Sequence, residues 1–180
     1  MDQPMSDRHF HCMTVMFKVR DLIVPRRKIL DEVDLRPGQT VLDFACGPGA
    51  YIPDAASRVG PEGKLYALDI HPLAIEAVRR IASGRGLKQV ETILSDGSGK
   101  TNLPGASVDV VLLYDAFHDF EDPERVLAEL NRVLRREGTL SFSDHHLGDA
   151  EIRSRVTEGG WFEFAHQGKR THTFRPVKRS

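Results

Sequence analysis

At 180 residues, 40% of them hydrophobic and 28% charged, the chain has room for one domain with a sizeable core and none for a second. A formal net charge of -1 gives no reason to expect nucleic acid as a partner, and no apolar run approaches the roughly 20 residues that span a bilayer. Two cysteines, Cys12 and Cys46, make no disulfide framework, and the N-terminal MDQPMSDRHFHC lacks a basic-then-apolar signal pattern, so a reducing cytoplasm is the expected compartment.

Along the chain, short apolar strands alternate with amphipathic helices. Val41–Ala45 reads as a first strand, broken by Gly47, Pro48 and Gly49, with a helix starting near Tyr51–Pro53. Leu65–Ile70 is a second strand containing Asp69. Pro72–Ser83 follows as a helix with Leu73, Ala77, Val78 and Ile81 on one face. Val90–Leu94 is a third strand, and the strongly apolar Val108–Tyr114 belongs in the sheet centre. Asp122 can cap the next helix, with Pro123 in its first position and Val126, Leu127, Leu130, Val133 and Leu134 as its buried stripe. Gly138 ends that turn, and Thr139–Ser143 is a fifth strand. A short helix from Asp149 to Val156 stops at Gly159–Gly160, and Trp161–Ala165 and Thr171–Val177 form a closing hairpin. The last fifteen residues carry Lys169, Arg170, Arg175, Lys178 and Arg179 with no acid, which reads as a solvated edge strand and tail, with a docking patch for an anionic partner as the alternative.

This alternation predicts an α/β fold: a three-layer Rossmann-like sandwich with a mostly parallel sheet. Ligands of such sheets bind at the carboxyl ends of the strands, near the switch in strand order. Three features fall there. The turn in VLDFACGPGAY, Val41–Tyr51, lets backbone approach a ligand and presents free N–H groups. It is no dinucleotide fingerprint, because the third glycine would fall at Ile52, and no phosphate loop, because no Gly-Lys-Ser/Thr follows. Asp69, twenty residues beyond Gly49, can accept both hydroxyls of a ribose. Asp96 and Gly97 close the third strand, within reach of an adenine amine. Each acid alone reads as a loop or capping residue; the turn and the two acids together, at successive strand tips, read as a site.

Together, VLDFACGPG, LYALDI, ILSDG, VDVVLLYDAFHDF and VLRREGTLSFSD resemble the motif set of class I methyltransferases that use S-adenosylmethionine (SAM), and especially the small quinone-biosynthesis-like branch. The resemblance covers residues 36–144 and implies seven strands in the order 3-2-1-4-5-7-6 with an antiparallel C-terminal strand, preceded by a helical cover over residues 1–35 and closed by a helix and hairpin over 148–180. It implies that Asp43 holds the methionine amino group and that backbone around Ala45, Cys46, Gly47 and Gly49 packs on the methionine part. Asp69 would bind the ribose and Ile70 the adenine face, Asp96 would accept from the adenine amine beside Gly97, and Tyr114 and Asp115 would line the methionine end. Ala45 departs from the pattern, where many members have glycine.

The implied reaction is in-line transfer of the SAM methyl to a small acceptor: a thiol or sulfide, a phenolic or quinol group, or an amine. A hydroxyl or amine calls for a base. His118, after the fourth strand, is the best-placed candidate, with His145 and Asp115 as further catalytic candidates and His146 beside them. His9–Arg20 is the expected cover of the site. No metal is expected: His9, His11 and Cys12 lack a second cluster at zinc spacing, and Asp115 and Asp144 carry only part of the magnesium pattern of catechol-type methyltransferases. The short chain suggests a small acceptor, a pocket completed in a homodimer, or a macromolecular acceptor on an open site. The rival readings are a non-catalytic SAM-binding partner subunit and a dehydrogenase-type nucleotide enzyme.

Overall fold

A computed structural model of the chain describes Ser6, Asp7, Phe10 and residues 27–178. The expected cover His9–Arg20 therefore lies outside the described residues, Phe10 excepted. In chain order the elements are α1 (Arg27–Leu30), β1 (Thr40–Phe44), α2 (Ile52–Val59), β2 (Lys64–Asp69), α3 (Pro72–Arg85), β3 (Val90–Leu94), β4 (Val108–Tyr114), a single 3₁₀ turn (Phe117–Asp119), α4 (Pro123–Val133), β5 (Leu134–Ser143), α5 (Asp149–Thr157), β6 (Phe162–Gln167) and β7 (His172–Pro176). The seven strands form one sheet in the order β3-β2-β1-β4-β5-β7-β6, as the resemblance implies. The first five run parallel, and β7 is antiparallel to both β5 and β6.

Alternation along the central strands builds the two cores. In β1 and β4, Val41, Val110, Leu112 and Tyr114 pack toward α1, α2 and α3, while Leu42, Val111 and Leu113 pack toward α4 and α5. Each such buried aliphatic side chain contributes about 1.5–3 kcal/mol of transfer free energy, so the strands covered on both faces anchor the sheet. The helix starts are set locally. Asp122 accepts the N–H of Arg125 at 3.0 Å ahead of Pro123 in α4. His71 plays that part for α3, its Nδ1 accepting from the Leu73 N–H at 3.2 Å, a capping role its sequence position does not advertise.

The boundary between α4 and β5 differs from the sequence expectation. The strand follows the helix directly at Leu134 instead of beginning at Thr139, and its register against β4 shifts between Val108 and Val110. Gly138 permits this close approach: a Cβ there would stand 2.9 Å from the Arg135 carbonyl oxygen and 3.1 Å from that of Asp109. Much of the basic C-terminus is structural. Arg175 donates through Nη1 to the Glu137 and Gly138 carbonyls at 3.1 and 3.2 Å and to Thr139 Oγ1 at 2.7 Å, and Lys178 donates to the Asn131 carbonyl. Strand β6 is the exposed sheet edge. Among the described residues, no helix is long and apolar enough to cross a membrane.

Candidate active site

The carboxyl ends of β1 to β5 all open on one side of the sheet, and two clefts lie there. The first runs past the tips of β1, β2, β3 and β4 and is lined by Asp43, Cys46, Gly47, Asp69, Ile70, Gly97, Tyr114 and Asp115, among others. Its β1 wall is a turn of unusual backbone. Ala45 has φ 60° and Gly47 φ 51°, so the chain doubles back along the cleft. Ala45 thus occupies the conformation that glycine adopts without strain, which explains why glycine suits this position. The turn is braced from β2: the Cys46 N–H donates to the Leu68 carbonyl at 3.0 Å, and the Gly47 N–H to Asp69 Oδ2 at 2.8 Å.

Asp69 joins the two loops, because its other oxygen accepts the His71 N–H at 2.8 Å. Burial raises the carboxyl pKa, opposed by the backbone donors of His71 and Gly47. Each of its oxygens accepts one N–H in these bonds, and each keeps room for a second donor such as a ribose hydroxyl. Around Gly47 the space is open, with no atom within 4 Å of where a Cβ would stand. An acceptor carboxylate, N–H-bearing turn and apolar wall fit a nucleoside joined to an amino acid.

Not every expected contact faces this cleft. Gly49 is buried behind its wall, where a Cβ would meet Val78 Cγ2 at 2.8 Å, so it sets the packing of the turn on α3. Asp96 is exposed and outside the lining. Its carboxylate accepts the Ser98 N–H at 2.9 Å, and that loop holds its pKa below the usual range. The adjoining Ser95, Gly97, Ser98 and Gly99 form the wall instead. Cys46 is buried, and desolvation with the nearby Asp69 and Asp43 carboxylates raises its thiol pKa well above the ordinary value, so it remains an unreactive thiol. Burial does the same for Tyr114, whose hydroxyl meets Ser141 Oγ at 2.7 Å. Sequence reasoning did not single out His71 and Phe120 as part of this lining. Phe10 stacks on His71 with ring centroids 4.4 Å apart; capping and stacking of this kind leave no short-range pattern.

At the tips of β4 and β5 the character changes to side-chain chemistry. His118, in the 3₁₀ turn, meets Asp144 through Nδ1 at 2.8 and 3.0 Å, and its own N–H donates to the same carboxylate at 3.1 Å. The Asp144 side chain is fully buried, whereas His118 is 22% exposed. Opposite a carboxylate, Nδ1 carries the hydrogen, which leaves Nε2 as the basic nitrogen. His145 repeats the arrangement, its Nδ1 2.8 Å from Asp115 Oδ1. The His146 ring lies between the two, 4.0 Å from each. Like Ala45, Asp115 has positive φ, at 53°.

Asp115, Asp144 and His145 bring donor atoms within 4.8 Å of one another, a spacing that a cation could use. The Asp144 oxygens, however, already make four contacts, to the His118 ring twice and to the His118 and His146 N–H groups. A cation would have to displace them, and the geometry is that of two carboxylate–imidazole pairs. The second cleft starts here: Asp115 belongs to both, and beyond it lie His145, Lys169, Arg170 and His172.

Strand order, the Asp69-braced turn and the cleft across four strand tips define a class, the Rossmann-like methyltransferases that hold SAM. The chain matches the methyltransferase domain family over residues 35–173, and it belongs to that family. It is 38% identical over 117 residues to nocamycin O-methyltransferase of Saccharothrix syringae, covering 65% of this chain and 41% of that protein. It is 27% identical over 130 residues to demethylmenaquinone methyltransferase of Geobacillus stearothermophilus, covering 72% and 55%. The chain thus spans about half, or less, of the length of these relatives. The crystal structure of a SAM-dependent methyltransferase from Aquifex aeolicus superposes with a TM-score of 0.73 at 27% identity, covering 88% of this chain and 96% of that one.

Proposed function

We propose that this chain transfers the methyl group of SAM to an oxygen of a small organic acceptor, with His118 as the general base. The observation that carries the reading is the nearness of the cleft braced by Asp69 to the Asp144–His118 pair: Asp119, which lines that cleft, stands 3.6 Å from His118 Nε2, although His118 itself is not part of the lining. Bound SAM supplies a methyl already activated on a sulfonium, so the protein's task is alignment and proton removal.

Asp43 and the turn around Ala45 and Gly47 hold the methionine end. Asp69 takes the ribose, and Ile70 with the Gly97 loop takes the adenine. Asp144 fixes the ring of His118, whose Nε2 lies 3.6 Å from Asp119 Oδ2 on the cleft wall. The acceptor oxygen loses its proton to that nitrogen as it gains the methyl carbon, and S-adenosylhomocysteine leaves. Two oriented imidazoles favour a hydroxyl or amine acceptor, since a thiolate or carbanion needs no base. Of these two, the likeness to nocamycin O-methyltransferase supports oxygen.

Calorimetric titration with SAM and then S-adenosylhomocysteine tests the reading, followed by a mass-spectrometric screen of phenols, quinols, carboxylic acids, thiols and amines. Saturable binding of both nucleosides and methylation within the oxygen acceptors are expected. A folded protein that binds neither overturns the proposal.

A further inference from the structure

The second cleft, although its lining carries one more carboxylate than cations, holds two cations with no carboxylate partner among the described residues and an unsatisfied buried imidazole. Three acids line it, and each is engaged: Asp115 with His145, Asp144 with His118, and Asp149 with Gln167, whose Nε2 donates to Oδ2 at 2.7 Å. Lys169 and Arg170, at the turn between β6 and β7, have no carboxylate partner among the described residues, unlike Arg175 and Lys178, whose side chains are bound to the sheet and to α4. Their position is fixed from below. A single oxygen of Glu32 accepts the Arg170 and Thr171 N–H groups at 3.0 and 3.1 Å and the Thr171 hydroxyl at 3.0 Å.

Behind the two cations lies His172. Its side chain is only 5% exposed, yet neither ring nitrogen has a hydrogen-bond partner among the described residues. Asp149 Oδ1 stands 3.4 Å from Nε2 without forming that bond, and desolvation lowers the imidazole pKa despite this neighbour. Both ring nitrogens are buried in this state, and the ring forms part of the cleft lining, where a ligand atom can satisfy one of them once the side chain turns outward. Ile29, Leu147 and Ile152 supply an apolar wall opposite.

We propose that this cleft seats the methyl acceptor and that the acceptor carries a carboxylate, held by Lys169, Arg170 and His172 while its reacting end points to Asp115. The proposal rests on the methyl-transfer reading for what happens at that reacting end, and not for the anion preference itself. The probes are 2-naphthoate and its neutral isostere 2-naphthamide, titrated into protein saturated with S-adenosylhomocysteine. A charge-assisted bond distinguishes them by about tenfold or more in affinity, in favour of the acid. In the double variant Lys169→Gln/Arg170→Gln, at two exposed positions, that preference falls below about threefold while affinity for S-adenosylhomocysteine is unchanged. Equal affinity for acid and amide, no binding of the acid, or a preference that survives in the variant overturns the proposal. Failure of S-adenosylhomocysteine to bind strikes the methyl-transfer reading instead. The naphthoate comparison on the free protein then decides the anion cleft separately.

Discussion

The two halves of the sheet's carboxyl edge solve different problems with the same backbone device. At β1 and β2, recognition is made of backbone N–H groups and one bracing carboxylate, Asp69, drawn from neighbouring parallel strands. At β4 and β5, it is made of imidazoles and carboxylates 26 and 30 residues apart in sequence. Both tips turn through a non-glycine residue at positive φ, Ala45 in one and Asp115 in the other. The first half is suited to holding a ligand and the second to moving a proton.

Substitutions that act on one half and spare the other test this division. The largest effect is expected in the second. His118→Ala lowers turnover by about a hundredfold or more, the scale of a lost general base, with S-adenosylhomocysteine affinity retained in calorimetry. Asp144→Asn, which offers the ring a donor in place of an acceptor, follows at about tenfold to a hundredfold. Unaltered rates in both would remove His118 as base. The next effect is in the first half. Asp69→Ala weakens S-adenosylhomocysteine binding by about 1–3 kcal/mol, and unchanged affinity would contradict the ribose assignment.

The smallest effect compares the two strained tips directly. Ala45→Gly relieves a left-handed alanine and raises stability by up to about 1 kcal/mol in thermal melts. Asp115→Gly relieves the same conformation but takes the partner from His145, so turnover falls while stability stays within about 1 kcal/mol. A destabilised Ala45→Gly variant would show that its backbone is not strained.

How legible each half was in the sequence follows from the same contrast. The strands, the glycine turn and Asp69 could be read because parallel α/β sheets put short apolar runs and their following loops in fixed relation, whereas the strand order came only from the family resemblance. Asp96 shows the limit: its position after β3 suggested a ligand contact, but a hydrogen bond to its own loop at Ser98 turns the carboxylate away. Gly49 likewise serves packing on α3. In the second half, DAFHDF and SDHH placed the histidines on the correct edge. Their pairing with Asp144 and Asp115 depends on how β4 and β5 align, which no local pattern encodes. The early start of β5 was hidden for a related reason, since its first residues are polar and exposed.

Glu32 has a consequence for the order in which the molecule is assembled. Its carboxylate closes a loop of 139 residues when it takes the Thr171 hydroxyl. The five parallel strands are all present by Ser143, so they can pair before the hairpin exists. The β6–β7 hairpin, and with it the roof of the second cleft, can form against a sheet already built, through this long-range contact. Long-range contacts of this kind are formed late, because the entropy of closing the loop must be overcome first. On this order the cleft at the tips of β1 to β4 can be complete before the hairpin that closes the second cleft. The Glu32 carboxylate is the latch between them.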